Sequence, residues 1–437
     1  MTREKSVTRE KRPKRNAEPY DEHMDVVAEH LVAGGDAIGH LPSGKVVFIS
    51  GALPGETVRI ALTNTRKDFA RAVVEDVIEA SPDRVSPPCP HVAEGCGGCQ
   101  WQHLSHQGQM EAKKRIAAES LARTAHLGSV DDLQARIRDF GAVPALGSRT
   151  TLRIAFDANG LPGFRKQASH DVVPISECFV AHPLLNRVLT RITAQPGSDV
   201  EVTLRCSIAT EVVGATVHGD PDDVSGLEFC DVVGDEARLV ETVAGQDLVV
   251  SMGAFFQSSP KAAELLINAV RTLIGPEALS GANGGVVDAY GGGGLLSAAL
   301  VPAHVPVTLV EENPYAVADA RRNLANNAAT IVKTSVETWR ATPAGVVIAD
   351  PSRQGLGSGG VAALVATNAP LFVLVSCDAA AGARDIRMLA EEGYILDQVG
   401  VIDMFPHTNH LEMVSLLRAG EVRRITAPDA SDVPPAA

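Results

Sequence analysis

The chain has 437 residues, 45% hydrophobic and only 4% aromatic, with a formal net charge of −14. That length supports two or three domains with cores of their own, no apolar run is long enough to cross a membrane, and the acidic balance argues against bulk attraction to nucleic acid as the main task. Seven irregularly spaced cysteines, behind a polar and basic start with no apolar leader, argue against a secreted disulfide framework. The expectation is a cytoplasmic protein that engages no membrane, a monomer by default.

Residues 1–24 read as a basic disordered tail, with Arg3, Lys5, Arg9, Lys11, Arg12, Lys14 and Arg15 against Glu4 and Glu10, a charge run able to touch a polyanion. Residues 25–82 carry short strand-like runs, Val46–Ile49, Thr57–Ile60 and Ala72–Ile78, divided by Gly34-Gly35, Pro42-Ser43-Gly44 and Pro54-Gly55. Such spacing predicts a small β-barrel of the oligonucleotide-binding type. A central region, 83–253, begins with Cys89, Cys96 and Cys99 and continues into a helix over roughly 106–125, where Met110, Ile116 and Leu121 recur at helical spacing. It then turns to strand patterning, with a hairpin signal at Asp157-Ala158-Asn159-Gly160 and a fourth cysteine, Cys178. From 254 to 422 strands at 285–290, 306–311, 345–349 and 371–376 alternate with helices at about 260–273, 314–326 and 379–392, followed by a strand pair near 396–418. This rhythm predicts a mainly parallel sheet of Rossmann-like α/β class. Residues 423–437, rich in Pro, Ala and Asp, read as a second disordered tail.

In the C-terminal region Val286–Tyr290 runs into Gly291-Gly292-Gly293-Gly294, and Glu311 ends the next strand. Glycines let a ligand approach the backbone, and an acidic residue at that strand end bonds ribose hydroxyls. The loop lacks the lysine of a nucleoside-triphosphate site, and on these residues a dinucleotide and S-adenosylmethionine fit equally. Cys377 closes the apolar run Leu371–Ser376 and precedes a helix. Taken alone it is a small core residue, but at a strand-to-helix junction the helix N-terminus is expected to stabilise its thiolate. Two carboxylate-bearing turns flank it, Asp350-Pro351-Ser352-Arg353-Gln354-Gly355 and Phe405-Pro406-His407-Thr408-Asn409-His410-Leu411-Glu412.

Together with Phe255-Phe256-Gln257, these blocks resemble, in order and spacing and over nearly the whole chain, the RNA uracil-5 methyltransferase family. Members transfer methyl from S-adenosylmethionine to uracil in ribosomal or transfer RNA, and many carry an N-terminal TRAM barrel and an iron–sulfur site. The resemblance implies that Cys377 is the nucleophile and Glu412 the general base. It implies that Gln257, Tyr290, Glu311 and Ser335 contact the cofactor, and that Asp350 bonds the uracil edge or the cofactor amino group. The chain departs from the family where Gly291–Gly294 and Leu295 replace Cys-Gly-x-Gly-Asn, and where Asp378 and Ala379 follow the nucleophile in place of Asn and Pro.

On spacing alone, Cys89, Cys96, Cys99 and Cys178 suit zinc or an iron–sulfur cluster. The resemblance implies a 4Fe–4S cluster with a structural role. Its expected RNA is 23S rRNA, with transfer RNA the alternative. Two further readings are a non-catalytic RNA-binding member of the family with impaired cofactor binding, and an iron–sulfur oxidoreductase that binds a dinucleotide.

Overall fold

A computed structural model describes residues 23–167 and 169–420. The tail at 423–437 lies outside the described residues, as does the basic tail at 1–24 apart from His23 and Met24. The described chain forms two compact units, residues 23–32 with 36–82, and residues 33–35 with 83–420.

The first unit is a curled six-stranded sheet of β1 (His23–Val27), β2 (His30–Leu31), β3 (Ala37–His40), β4 (Val46–Ser50), β5 (Thr57–Thr65) and β6 (Phe69–Glu79), in the order β1-β5-β6-β4-β3-β2. Alternation drives it: Val47 and Ile49, Val58 and Ile60, and Ala70 and Ala72 point inward and are buried. Pro54-Gly55 turns the chain between β4 and β5, with Gly55 at φ +80°.

The second unit opens with α1 (His106–Thr124), α2 (Val130–Arg136) and β7 (Arg138–Ala142). Ser105 caps α1 by accepting the Gly108 N–H at 3.0 Å. Its buried face includes Met110, Ile116 and Leu121, the helical repeat visible in the sequence, together with Gln109 and Lys113. A six-stranded sheet follows, built from β8 (Thr151–Phe156), β9 (Pro162–Arg165), β10 (Val172–Pro174), β12 (Glu201–Cys206), β13 (Val213–His218) and β15 (Val232–Val233). Helix α3 (Pro183–Leu189) and the pair β11 (Thr193–Ala194) and β14 (Val224–Ser225) accompany it, and the hairpin β16 (Arg238–Val243) with β17 (Gln246–Ser251) leads out. Cys206 and Cys230 lie in the core beneath this sheet.

The remainder alternates. Helix α4 (Pro260–Ile274) precedes β18 (Val286–Ala289), α5 (Leu295–Leu300), β19 (Val307–Glu311), α6 (Pro314–Asn323), β20 (Ala329–Lys333), β21 (Val346–Ala349), α7 (Gly357–Val365), β22 (Leu371–Ser376), α8 (Ala379–Glu391), β23 (Tyr394–Asp403) and β24 (Glu412–Ala419). Eight strands form one sheet in the order β20-β19-β18-β21-β22-β24-β23-β7. The β18, β21 and β22 residues are buried throughout, as strands covered on both faces must be. Chain order and spatial order diverge here, because β7 pairs in parallel with β23 and α1 lies against α8. Residues 106–142, far ahead of position 254, therefore complete the layer that the C-terminal elements build.

Candidate active site

Strand register sets the site. β18 pairs in parallel with β19 on one side and β21 on the other, so the chain reverses direction across the sheet at β18 and a crevice opens at the carboxyl ends of β18 and β21. Ala289 pairs with Ala349, which sets the next residues, Tyr290 and Asp350, side by side at that edge. On the far side β22 and β24 are antiparallel, with Ser376 opposite Met413. Extending that register by one residue places Cys377 opposite Glu412. Four strand ends thus bring a tyrosine, two carboxylates and a thiol to one edge.

The crevice is lined by Phe256, Gln257, Asp288, Tyr290, Gly291, Gly292, Gly293, Leu295 and Asp350, with Asp319 and Asn323 behind the glycines. Gln257 donates from Nε2 to Asp350 Oδ2 at 3.3 Å. Tyr290 adopts φ +57° and its hydroxyl donates to Glu337 Oε1 at 2.8 Å. Glu311 stands beside the crevice instead of lining it. Its two oxygens accept the N–H groups of Gly292 at 3.0 Å and Asn313 at 2.7 Å, so it fixes the glycine loop. Ser335 has its hydroxyl 2.9 Å from that of Thr338 in the turn after β20. Of the five residues expected at the cofactor, Gln257, Tyr290 and Asp350 are brought together, Glu311 acts on the loop, and Ser335 is not among the lining residues.

Electrostatically the edge is a buried acidic cluster. Asp288 is 1% exposed. It accepts from Ser297 Oγ at 2.5 Å through Oδ2, and its Oδ1 has no partner among the described residues. Burial pushes its carboxyl up to about 6. Burial, reinforced by Asp288, pushes Asp350 up to about 7. Glu412 is held well above the usual carboxylate range by burial and then by Asp350, with Arg353 opposing. Cys377 is pushed up to about 11, first by burial and then by Glu412 and Asp350, with Arg353 again opposing.

The thiol therefore departs from the expectation of a helix-stabilised thiolate. Burial and the two carboxylates outweigh any help from the helix start, and that helix N-terminus is itself capped by Asp378, which accepts the Ala381 N–H at 2.8 Å. Two residues given no role by the sequence also belong here. Arg353 is the cation facing both Cys377 and Glu412. His410 is pushed down to about 4 by burial and then by Arg353, Lys113 and Arg149, so it is neutral at physiological pH. The available signal for Arg353 was a single positive charge within an otherwise acidic and glycine-bearing motif.

Cys89, Cys96, Cys99 and Cys178 all line one cavity of about 240 Å³ in the central region. Gly97 allows this: its N–H donates to Arg165 O at 3.0 Å, and a Cβ there would lie 2.7 Å from the same oxygen. Cys178 is fixed by Asn186, which accepts its N–H at 2.9 Å and donates to its carbonyl at 3.1 Å. Among the described residues no group of three or more His, Cys, Asp or Glu is arranged to hold a metal ion. Arg149 lines this cavity as well, and its guanidinium stacks 5.7 Å from the centre of the Phe405 ring.

Residues 24–74 match the TRAM domain. The chain is 31% identical to the 23S rRNA (uracil(1939)-C(5))-methyltransferase RlmD of Chromohalobacter salexigens, over 89% of this chain and 88% of that protein. It is 32% identical to an RNA methyltransferase of Gloeobacter violaceus, over 89% of this chain and 94% of that one. Among solved structures, the Pyrococcus abyssi tRNA (uracil-54, C5)-methyltransferase in complex with S-adenosyl-L-homocysteine superposes with a TM-score of 0.67 at 23% identity, covering 90% of this chain and all of that one, which shows a shared fold. A TRAM domain, a crevice at the switch point of a Rossmann-like sheet and these full-length relatives agree: the chain belongs to the family of S-adenosylmethionine-dependent RNA methyltransferases.

Proposed function

We propose that this enzyme transfers a methyl group to C5 of a uridine in RNA through a covalent adduct between Cys377 and uracil C6. The observation that carries this reading is the strand register, which sets the Cys377 thiol opposite the Glu412 carboxylate at the edge where the cofactor crevice opens. Uracil C5 is a weak nucleophile, and addition of sulfur to C6 makes it enolate-like. In the first step the Cys377 S–H bond gives its proton to Asp350, which leaves Glu412 unprotonated for the later transfer and returns that proton to the departing sulfur at the end. The S–C6 bond forms, and the C5=C6 electron pair moves toward O4. C5 then attacks the sulfonium methyl of the cofactor, and S-adenosylhomocysteine leaves. Glu412 takes the C5 proton, the C5=C6 bond re-forms and the thiolate departs. A carboxylate held at high pKa is matched to that proton transfer. Gln257 and Tyr290 would orient the cofactor, Glu311 would hold the glycine loop beneath it, and Asp350 would bond the uracil edge. The target base must leave its stack to reach this edge.

Cys89, Cys96, Cys99 and Cys178 would hold a 4Fe–4S cluster. What supports this reading is that the four thiols line one cavity, a ligand set that suits an iron–sulfur cluster or zinc, with the family resemblance favouring the cluster. When bound, the cluster supplies a rigid anchor for the central region, since methyl transfer moves no electrons.

The preferred substrate is 23S rRNA, the substrate named for the bacterial relative that is 31% identical over 89% of this chain. The test incubates the protein with S-adenosylmethionine and RNA from a strain lacking the gene. Nucleoside mass spectrometry should find new 5-methyluridine in 23S rRNA. Methylation confined to transfer RNA would replace the substrate, and no methylation of any RNA would leave only RNA binding.

A further inference from the structure

The loop Met404–Leu411 joins β23 to β24 and ends at Glu412. It is held by α1, an element from nearly three hundred residues earlier in the chain. Lys113 is fully buried and pairs with Asp403, 2% exposed, at 2.5 Å. The same ammonium donates to Phe405 O at 3.1 Å, while Asp403 Oδ1 accepts the Phe405 N–H at 3.1 Å. One turn earlier on α1, Gln109 Oε1 accepts the His407 N–H at 2.6 Å, and its Nε2 donates to the carbonyls of Leu104 at 2.8 Å and Trp101 at 3.2 Å. The Trp101 N–H in turn donates to His407 O at 2.8 Å. Both backbone polar groups of His407 are thereby fixed, and His407 adopts φ +67°, a conformation a histidine keeps only when its surroundings impose it.

A dry ion pair is a poor source of stability, because desolvation offsets most of its attraction. Here it instead fixes both the carbonyl and the N–H of the loop's second residue. We propose that Lys113 and Gln109 are positioning residues that hold the 404–411 loop so that Glu412 faces Cys377. The proposal rests on the reading of Glu412 as the proton acceptor. Neither side chain touches the reacting atoms; each sets the backbone from which Glu412 projects.

Two variants test this. Gln109→Leu removes the hold on His407. The double variant Lys113→Met/Asp403→Leu removes both charges at once, which avoids stranding one buried ion and lets the protein fold. Each is purified with its cysteine site loaded as in wild type. Amide exchange of the 404–412 peptide should rise while that of β22 stays unchanged. A misplacement of about 1 Å costs on the order of 100-fold in rate, so kcat should fall by that order, with KM for RNA and affinity for S-adenosylhomocysteine unaltered. The RNA–protein adduct should accumulate, because its formation does not need Glu412 in place. The proposal is overturned if loop exchange is unchanged, if kcat stays at the wild-type value, or if cofactor affinity and melting temperature fall in step with activity, which marks general unfolding. If the loop loosens and kcat falls while Glu412→Gln traps no adduct, positioning by α1 stands and the role given to Glu412 falls.

Discussion

A thiol held near 11 keeps its proton at neutral pH, and two neighbouring carboxylates are part of the cause. Cys377, the proposed nucleophile, is thus kept from ionising inside an acidic cluster. Glu412 is the larger of the two charge contributions, so Glu412→Gln should lower the midpoint of Cys377 alkylation by iodoacetamide across a pH series. The shift should be partial, because burial, the leading cause, remains. An unchanged midpoint would mean that Glu412 does not face the sulfur. Asp288 offers a stability test. Its rise from 3.8 to about 6 costs the ionised form on the order of 3 kcal/mol. Because the folded-state value is raised, the contribution is fully present below 3.8 and is lost as pH rises through about 6. Asp288→Asn removes that loss, so it should raise the urea midpoint clearly at about pH 7.5 and much less at about pH 4.5. An equal gain at both pH values would contradict an ionised, buried Asp288.

At the scale of elements, the spacing around each glycine of the Gly291–Gly294 loop says which of them matter. A Cβ at Gly291 would lie 2.7 Å from Leu309 Cγ, and Gly294 sits at φ +85° with Leu324 Cδ1 3.0 Å from a Cβ. Gly293 has only ordinary contacts, Asn323 Nδ2 and Asp319 Cβ both at 3.6 Å. Gly293→Ala should therefore keep or slightly improve binding of S-adenosylhomocysteine by calorimetry, through a loop that loses less entropy, worth about 0.4–1 kcal/mol. Gly294→Ala should weaken it, since a left-handed alanine costs roughly 1–2 kcal/mol. The reverse order would mean that the loop rearranges on binding.

How much was legible follows from the same elements. The buried strands Val346–Ala349 and Leu371–Ser376 are essentially apolar runs, and Val286–Ala289 is apolar apart from Asp288, so all three read clearly. α7 did not, because Gly357, Gly359 and Gly360 depress helix propensity and tertiary packing supplies the helix. β7 did not, because Arg138-Asp139-Phe140-Gly141-Ala142 is a half-exposed edge strand whose partner β23 is remote in sequence. Cys377, Glu412 and the four cysteines were visible as motifs. Arg353 and His410 stood inside those motifs without a role, and Lys113 and Gln109 stood outside them, because their significance comes from facing residues that only folding brings near.

Across the whole molecule, the central region and the catalytic sheet are joined by shared parts. α1 and β7 complete the catalytic layer, and Arg149 reaches from the cysteine cavity to Phe405 on the loop ahead of Glu412. Iron and sulfide analysis of anaerobically purified protein should return four of each per chain, and Cys178→Ala should lose them. Stoichiometric zinc would overturn the cluster. The net charge of −14 also implies that RNA is met by a local basic face, so binding should weaken with added salt by a modest slope reflecting few phosphate contacts. A steep slope would contradict that.

The central claim is that Cys377 forms a covalent bond to uracil and that Glu412 is needed to resolve it. The most direct measurement is denaturing gel and mass analysis of Glu412→Gln incubated with S-adenosylmethionine and unmodified 23S rRNA fragments. The account predicts an RNA–protein species carrying the transferred methyl group, stable to denaturation and absent when Cys377→Ala is added. Methyl transfer by the Cys377→Ala single variant at the wild-type rate, with no adduct in Glu412→Gln, would contradict it.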